Sequence, residues 1–237
     1  MGRAFEFRKE RKMKRWSSMA KTFTKIGKDI AIAVKQGGAD PNTNSKLRAI
    51  IQNAKSVNMP KDNVERAIKK ASSKEQEDYK EIVYEGYAAH GIGVVVECTT
   101  DNINRTVASV RSAFNRCGGS LGTSGMLDFM FDRKSVFKIT KPENFDADEF
   151  ELEMIDFGAD EIFENEEEQI IIHAAFTDFG NIQKALEEKN FEIVAANFER
   201  IPNNTKELNE EQIAEVEKLL EKLEEDDDVQ NVYHNMA

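Results

Sequence analysis

Near residue 80 this chain changes two properties at once, and together they limit the folds open to it. Up to residue 71 the apolar side chains recur every three to four residues, the period of a helix. Beyond residue 80, short alternating runs of strand period appear between further helical stretches. Charge reverses at the same place: residues 1–80 hold 20 Lys and Arg against 9 Asp and Glu, whereas residues 81–237 hold 13 against 35. The overall net charge of −11 therefore hides a basic module of +11 joined to an acidic body of −22. Such asymmetry points to a polyanion-binding module that the average would conceal.

Residues 2–16 place seven basic side chains, among them Arg8, Lys9, Arg11, Lys12, Lys14 and Arg15, between Phe5, Phe7 and Trp16. Cations find phosphates and aromatic rings stack on bases. The stretch reads either as an arm that orders on nucleic acid or as a segment pinned to a helix by its aromatics. Over 17–36, Met19, Phe23, Ile26, Ile30 and Val34 form one helical stripe that Gly37-Gly38 ends. Lys21, Lys25, Lys28 and Lys35 fall off the stripe and are expected toward solvent. Asn44 or Ser45 can cap a second helix with Leu47, Ile50, Ile51 and Ala54 inward. Pro60 suits the start of a third, with Val64, Ala67, Ile68 and Ala71 inside and Lys61, Arg66, Lys69 and Lys70 outside. The prediction is a small basic helical bundle. Its candidate nucleic-acid contacts are the six N-terminal cations just named together with Lys21, Lys25, Lys28, Lys46, Arg48, Lys55, Lys61, Arg66, Lys69 and Lys70.

Strands are expected at 81–87 and 93–99, a helix capped by Asn102 over 102–116, and a strand at 126–131. The Gly-rich loop 118–125 between them has no Walker-type Gly-Lys-Ser/Thr and precedes a strand instead of opening a helix. It reads as turns, not as a phosphate cradle. Residues 134–200 repeat a β-α-β-β-α-β rhythm, the order of a ferredoxin-like sandwich. Within them, 146–168 hold twelve acids and no Lys or Arg, a solvated acidic face. A last amphipathic helix over 209–225 and a strand over 229–233 cannot bury an apolar face alone, so they are expected to pack on 81–131. The expected fold class is α+β in three domains: a basic bundle at 1–78, a discontinuous α/β domain at 79–133 plus 205–237, and an inserted α/β domain at 134–204. Both α/β domains are expected to be ferredoxin-like.

Little suggests catalysis. His90, His173 and His234 lie far apart with no partner at a diagnostic spacing, and no nucleophile or metalloprotease motif occurs. The prediction is a protein that is not an enzyme and needs no cofactor. The two cysteines, Cys98 and Cys117, form no metal-binding or disulfide pattern and read as free thiols of a reducing cytoplasm. No apolar run approaches the roughly 20 residues that span a bilayer, so no membrane partner is expected. The basic N-terminus lacks the apolar core of a secretory signal.

Several strings are specific enough to carry a resemblance. Lys21-Thr22-Phe23-Thr24-Lys25-Ile26, 37–44 (GGADPNTN), Leu47-Arg48-Ala49 and 58–70 (NMPKDNVERAIKK) resemble the first domain of the YebC/PmpR family. Tyr84-Glu85-Gly86-Tyr87, 97–102 (ECTTDN), Asn104-Arg105-Thr106, Gly118-Gly119-Ser120-Leu121-Gly122 and 228–233 (DVQNVY) continue the match across nearly the whole chain. The resemblance implies a helical first domain and two α/β domains around a cavity, in a cytoplasmic or organellar regulator of gene expression with no cofactor. Members are described as DNA-binding transcriptional regulators, which makes that the leading expectation. Others act on ribosomes and ease synthesis through difficult stretches such as proline runs, which makes a translation factor bound to ribosomal RNA the alternative. The family usually opens Gly-His-Ser-Lys-Trp, whereas this chain reads Gly2-Arg3-Ala4-Phe5-Glu6, so no contact of that opening motif is carried over.

Overall fold

The computed structural model describes residues 3–73, 78–143 and 145–237, with side chains from residue 19 onward. A single helix, α1, runs Arg3–Gly37, roughly 50 Å long at 1.5 Å per residue. Residues 3–16, read above either as an arm or as a segment pinned to a helix, continue the backbone of the helix expected at 17–36; their side chains lie outside the described residues. Gly38 ends the helix with φ +85° and donates its N–H to the Val34 carbonyl at 2.9 Å. The Asn44 side chain occupies the space beside Gly37 that a Cβ would fill, and its Oδ1 caps α2 (Ser45–Ser56) by accepting the Leu47 N–H at 3.0 Å. Helix α3 (Lys61–Ala71) starts one residue past Pro60. Ile26, Ile30, Leu47, Ala54, Met59 and Val64 make the bundle core.

Beyond the bundle come β1 (Lys80–Tyr87), β2 (Gly93–Thr100), α4 (Ile103–Arg116) and β3 (Ser120–Leu121). There follow β4 (Phe131–Thr140), α5 (Ala147–Ile155), β5 (Ala159–Glu164), β6 (Gln169–Ala175), α6 (Phe179–Glu188) and β7 (Ile193–Pro202). The chain closes with α7 (Glu210–Glu224) and β8 (Val229–His234). Two antiparallel four-stranded sheets result, ordered β3-β1-β2-β8 and β5-β6-β4-β7. The second is the split β-α-β arrangement that the 134–200 rhythm predicts, with α5 and α6 over a core of Phe137, Ile172, Ile182 and Leu186.

Two expectations need correction. The first sheet is not ferredoxin-like: β1 and β2 form a hairpin through a 3-10 turn at Ala89–Gly91, leaving no helix between them. The strand expected at 126–131 is instead a run of turns, and β3 lies earlier, paired with Gly86 and Tyr87. The cause is Glu85, a carboxylate buried under the Gly-rich loop. It accepts the Gly125 N–H at 2.8 Å and the Leu127 N–H at 2.7 Å, which draws that backbone inward and away from a ladder.

The last two elements do return to the first sheet. Strand β8 pairs with β2, Val96 opposite Val232, and α7 buries Val216, Leu219 and Leu223 against Val110 and Phe114 of α4. One buried carboxylate, Asp228, sits where the bundle meets this sheet. Its Oδ1 accepts from Lys28 Nζ at 2.9 Å, and its Oδ2 accepts from Arg105 Nη2 at 2.7 Å, Thr106 Oγ1 at 2.9 Å and Thr100 Oγ1 at 3.1 Å. Burial alone pushes this carboxyl upward. The hydrogen bonds from Arg105, Lys28 and Thr106 outweigh it and hold the group down at about 2. A folded pKa below the unfolded value of 3.8 means stabilisation that is present above pH 4 and lost as the pH falls through 2. Replacing Asp228→Asn strands the buried Lys28 ammonium and should cost about 3–5 kcal/mol at pH 7. Urea unfolding should show that gap at pH 7 and its shrinkage below pH 3.

Candidate nucleic-acid interface

The bundle cations divide into two sets. Lys21, Lys25 and Lys28 stand one helical turn apart on α1 and face the body, not solvent. Lys21 Nζ donates to the Glu225 carbonyl at 3.0 Å and Lys25 Nζ to the Gln230 carbonyl at 3.2 Å. Lys28, only 8% exposed, donates to the carbonyls of Thr99 at 3.0 Å and Asp227 at 2.7 Å besides Asp228. These lysines dock on the C-terminal end of α7, where the carbonyl ends of the helix attract cations, on the turn that follows, and on β8 and β2 at Gln230 and Thr99. Lys28 is therefore removed from the candidate surface: its three N–H groups are all held by protein acceptors. Burial also lowers the pKa of Lys25.

Lys46 and Arg48 are engaged as well. Lys46 pairs with Glu81 at 3.2 Å, and Arg48 Nε with Glu187 at 2.8 Å while its Nη1 reaches the Pro41 carbonyl. Beside Arg48, the Asn53 amide mimics a strand residue. It accepts the Ala196 N–H and donates to the Ala196 carbonyl, both at 2.9 Å, and so seals the β7 edge. What stays exposed is Lys35, which pairs with Asp78, together with Lys55 and the outer face of α3, Lys61, Arg66, Lys69 and Lys70. On that face Lys61 pairs loosely with Glu65 at 3.5 Å, and Arg66 is steered by the Asn63 side chain and the Asp62 carbonyl. Arg8, Lys9, Arg11, Lys12, Lys14 and Arg15 belong to the N-terminal half of α1, whose side chains are not among those described.

No other sequence candidate forms a site. The backbone N–H groups of the Gly-rich loop already hold the Glu85 carboxylate, so the loop has no open anion cradle there. His90 meets Glu215 at 2.8 Å and His173 meets Glu161 at 3.1 Å, each alone. Burial foremost pushes the Cys98 thiol up to about 12, which makes it an inert core residue. No described helix is long and apolar enough to cross a membrane. The docking of α1 on the body went unread in the sequence. Its signal was the complementary pair formed by Lys at 21, 25 and 28 and the acidic run 224–228.

A basic helical bundle locked onto a mixed α/β body of opposite charge defines a class of protein with one cationic face and no assembled catalytic centre among its described residues. Comparison gives the family. A model of the TACO1/YebC protein N-terminal domain matches residues 3–74, and one of the TACO1/YebC second and third domain matches residues 79–236. The chain belongs to the TACO1/YebC family. It is 64% identical over 236 residues to a probable transcriptional regulatory protein of Flavobacterium johnsoniae, covering all of this chain and 99% of that one. A protein of the same description from Porphyromonas gingivalis is 58% identical, again over all of this chain and 97% of its own. The crystal structure of a conserved hypothetical protein, Aq1575 from Aquifex aeolicus, superposes with a TM-score of 0.79 at 38% identity, covering 92% of this chain and 90% of that one.

The seam between bundle and body holds one more carboxylate, the half-buried Asp29 of α1. Burial foremost raises its pKa to about 7; Lys46 opposes the shift and Glu81 and Glu97 add to it. A raised folded pKa means that stability is greatest below pH 4 and falls as the pH climbs through 7. Asp29→Asn should therefore leave stability unchanged near pH 4 and raise it by about 2 kcal/mol at pH 8, a value below the full shift because the group keeps some solvent. Thermal unfolding across that range checks both ends.

Proposed function

We propose that this chain is a nucleic-acid-binding regulator of gene expression whose affinity resides in the bundle, residues 1–78. The two sheet units, 79–133 with 205–237 and 134–204, serve as the acidic body that orients it. The observation that carries this reading is the division of the cations. The inner row of α1 neutralises the body, while α3 keeps Lys61, Arg66, Lys69 and Lys70 exposed next to a helix whose first turns add more charge. Phosphates of DNA are the first target, in keeping with the transcriptional description of the relatives. An acidic body of −22 is repelled by the same phosphates, so only one orientation of docking is favourable.

One observation favours a second target. The exposed face of α3 offers Lys and Arg, which suit phosphates, and its Asn63 is occupied by Arg66. A helix that reads base edges needs free amides or guanidinium forks at its contact positions, and here the Asn63 amide and the Arg66 fork hold each other. Structured RNA supplies shape and phosphates without that demand, which fits a ribosome-associated role in translation. Duplex binding is accordingly weakly sequence-selective.

The test uses the full chain and the quadruple charge reversal Lys61→Glu, Arg66→Glu, Lys69→Glu, Lys70→Glu. Affinity is measured against a random duplex library and against purified ribosomes over a range of salt. If about 5–8 phosphates are neutralised, the duplex slope of log affinity on log salt should be roughly −4 to −7, and the reversal should flatten it by about 3 or more. A selected duplex motif bound on the order of a thousandfold above random, with no ribosome binding, would remove the translational reading. Unchanged slopes in the variant would refute the bundle as the binding unit.

A further inference from the structure

The second sheet unit carries a cleft of about 650 Å³ at the end where β4 leaves for α5, on the acidic stretch rather than the basic bundle. Its floor is aromatic. Phe150 lies between Phe145, 5.1 Å away by ring centroids, and Phe191, 5.0 Å away and edge-on. Around that floor stand four carboxylates and, among the described residues, a single cation, Lys189, which Glu153 holds at 2.6 Å. The other three differ in how they are held. Asp146 Oδ1 accepts the Asp148 and Glu149 N–H groups as the cap of α5, both at 3.1 Å, and Glu192 accepts the Thr140 hydroxyl at 3.1 Å. Glu149 has no ion-pair or side-chain hydrogen-bond partner among the described residues.

Two half-buried rings, Phe145 and Phe191, backed by the buried Phe150 and set beneath unneutralised carboxylates, form the chemical complement of an organic cation. A guanidinium or ammonium gains from the ring quadrupole, its aliphatic stem from the apolar floor, and its charge from Glu149. The sign excludes phosphate. The surroundings extend the match to a chain of such groups. Leu152, one turn on from Glu149, is 70% exposed and Ile155 is 53% exposed, on a helix whose neighbouring surface positions are acids. A volume of this size also exceeds what one small ion requires. We infer that the cleft is a recognition site for a basic polypeptide, with an arginine or lysine side chain inserted over Phe145 and Phe191 and an apolar neighbour laid on Leu152. No residue of the cleft belongs to the cationic surface of the bundle, so the site and the nucleic-acid surface can be occupied together.

The test uses the full chain and two fluorescein-labelled twelve-residue peptides. One carries three arginines and a leucine in a Gly/Ser background; the other has citrulline, the uncharged isostere, in place of each arginine. Anisotropy at near-physiological salt should show the arginine peptide binding at least about tenfold more tightly. Glu149→Gln, with the melting temperature unchanged, and separately Phe191→Leu, which keeps an apolar side chain but removes the ring, should each weaken it by about fivefold. Glu166→Gln with Glu167→Gln, acids outside the cleft, should change it by less than about twofold. Equal binding of the two peptides would overturn the inference. So would losses as large from the outer pair as from Glu149→Gln, since attraction would then be to the acidic surface at large.

Discussion

Asp228 lies where three parts of the chain meet, and the placement of everything else depends on it. It follows α7, precedes β8, and accepts from a lysine of α1 and an arginine and two threonines around the start of α4. A buried charge is tolerable only when its partners come to it, and here they come from residues 28, 100, 105 and 106. That requirement fixes the long helix against the first sheet. It also ties the end of the chain, beyond the inserted second sheet, back to the strand that precedes the insertion.

Once α1 is fixed in this way, its charges acquire different roles according to face. Lysines on the body side satisfy the carbonyl ends of α7 and the turn after it, so the acidic body and the basic bundle attract each other within one molecule. Cations on α3 lie off that seam and stay exposed. The bundle also reaches the second sheet through Asn53, whose amide pairs with the β7 edge, and through the Arg48–Glu187 ion pair. Arg200 of β7 pairs with Glu97 of β2 at 2.9 Å, joining the two sheets directly. The cationic face is thus presented by a base anchored at several points.

Much of this architecture is legible in the sequence because its determinants are local. The stripe through Ile26, Ile30 and Val34, the caps at Asn44 and Asn102, and the β-α-β-β-α-β order are all patterns within one element or its neighbours. Failures came where a distant residue overrode a local pattern. The apolar run at 126–131 suggests a strand, but Glu85, some forty residues earlier, takes the N–H groups of Gly125 and Leu127 that a ladder would need. Lys25 and Lys28 lie off the apolar stripe, yet a second stripe made of charges buries them against residues near the other end of the chain. A local reading treats a lysine off the apolar face as solvated. Only its partner's position shows otherwise, and that partner lies about 200 residues away.

If the exposed cations of α3 bind while the lysines on the inner face of α1 only hold the fold, lysine reactivity separates the two sets directly. The full chain is treated with an amine-labelling reagent, alone and bound to purified ribosomes or to a random duplex, and each lysine is quantified by mass spectrometry. Lys28 is expected to be unreactive in every state, and Lys61, Lys69 and Lys70 to label readily in the free protein and to be protected in the complex. A reactive Lys28 that becomes protected on binding, or protection confined to lysines of the second sheet such as Lys138, would contradict this division.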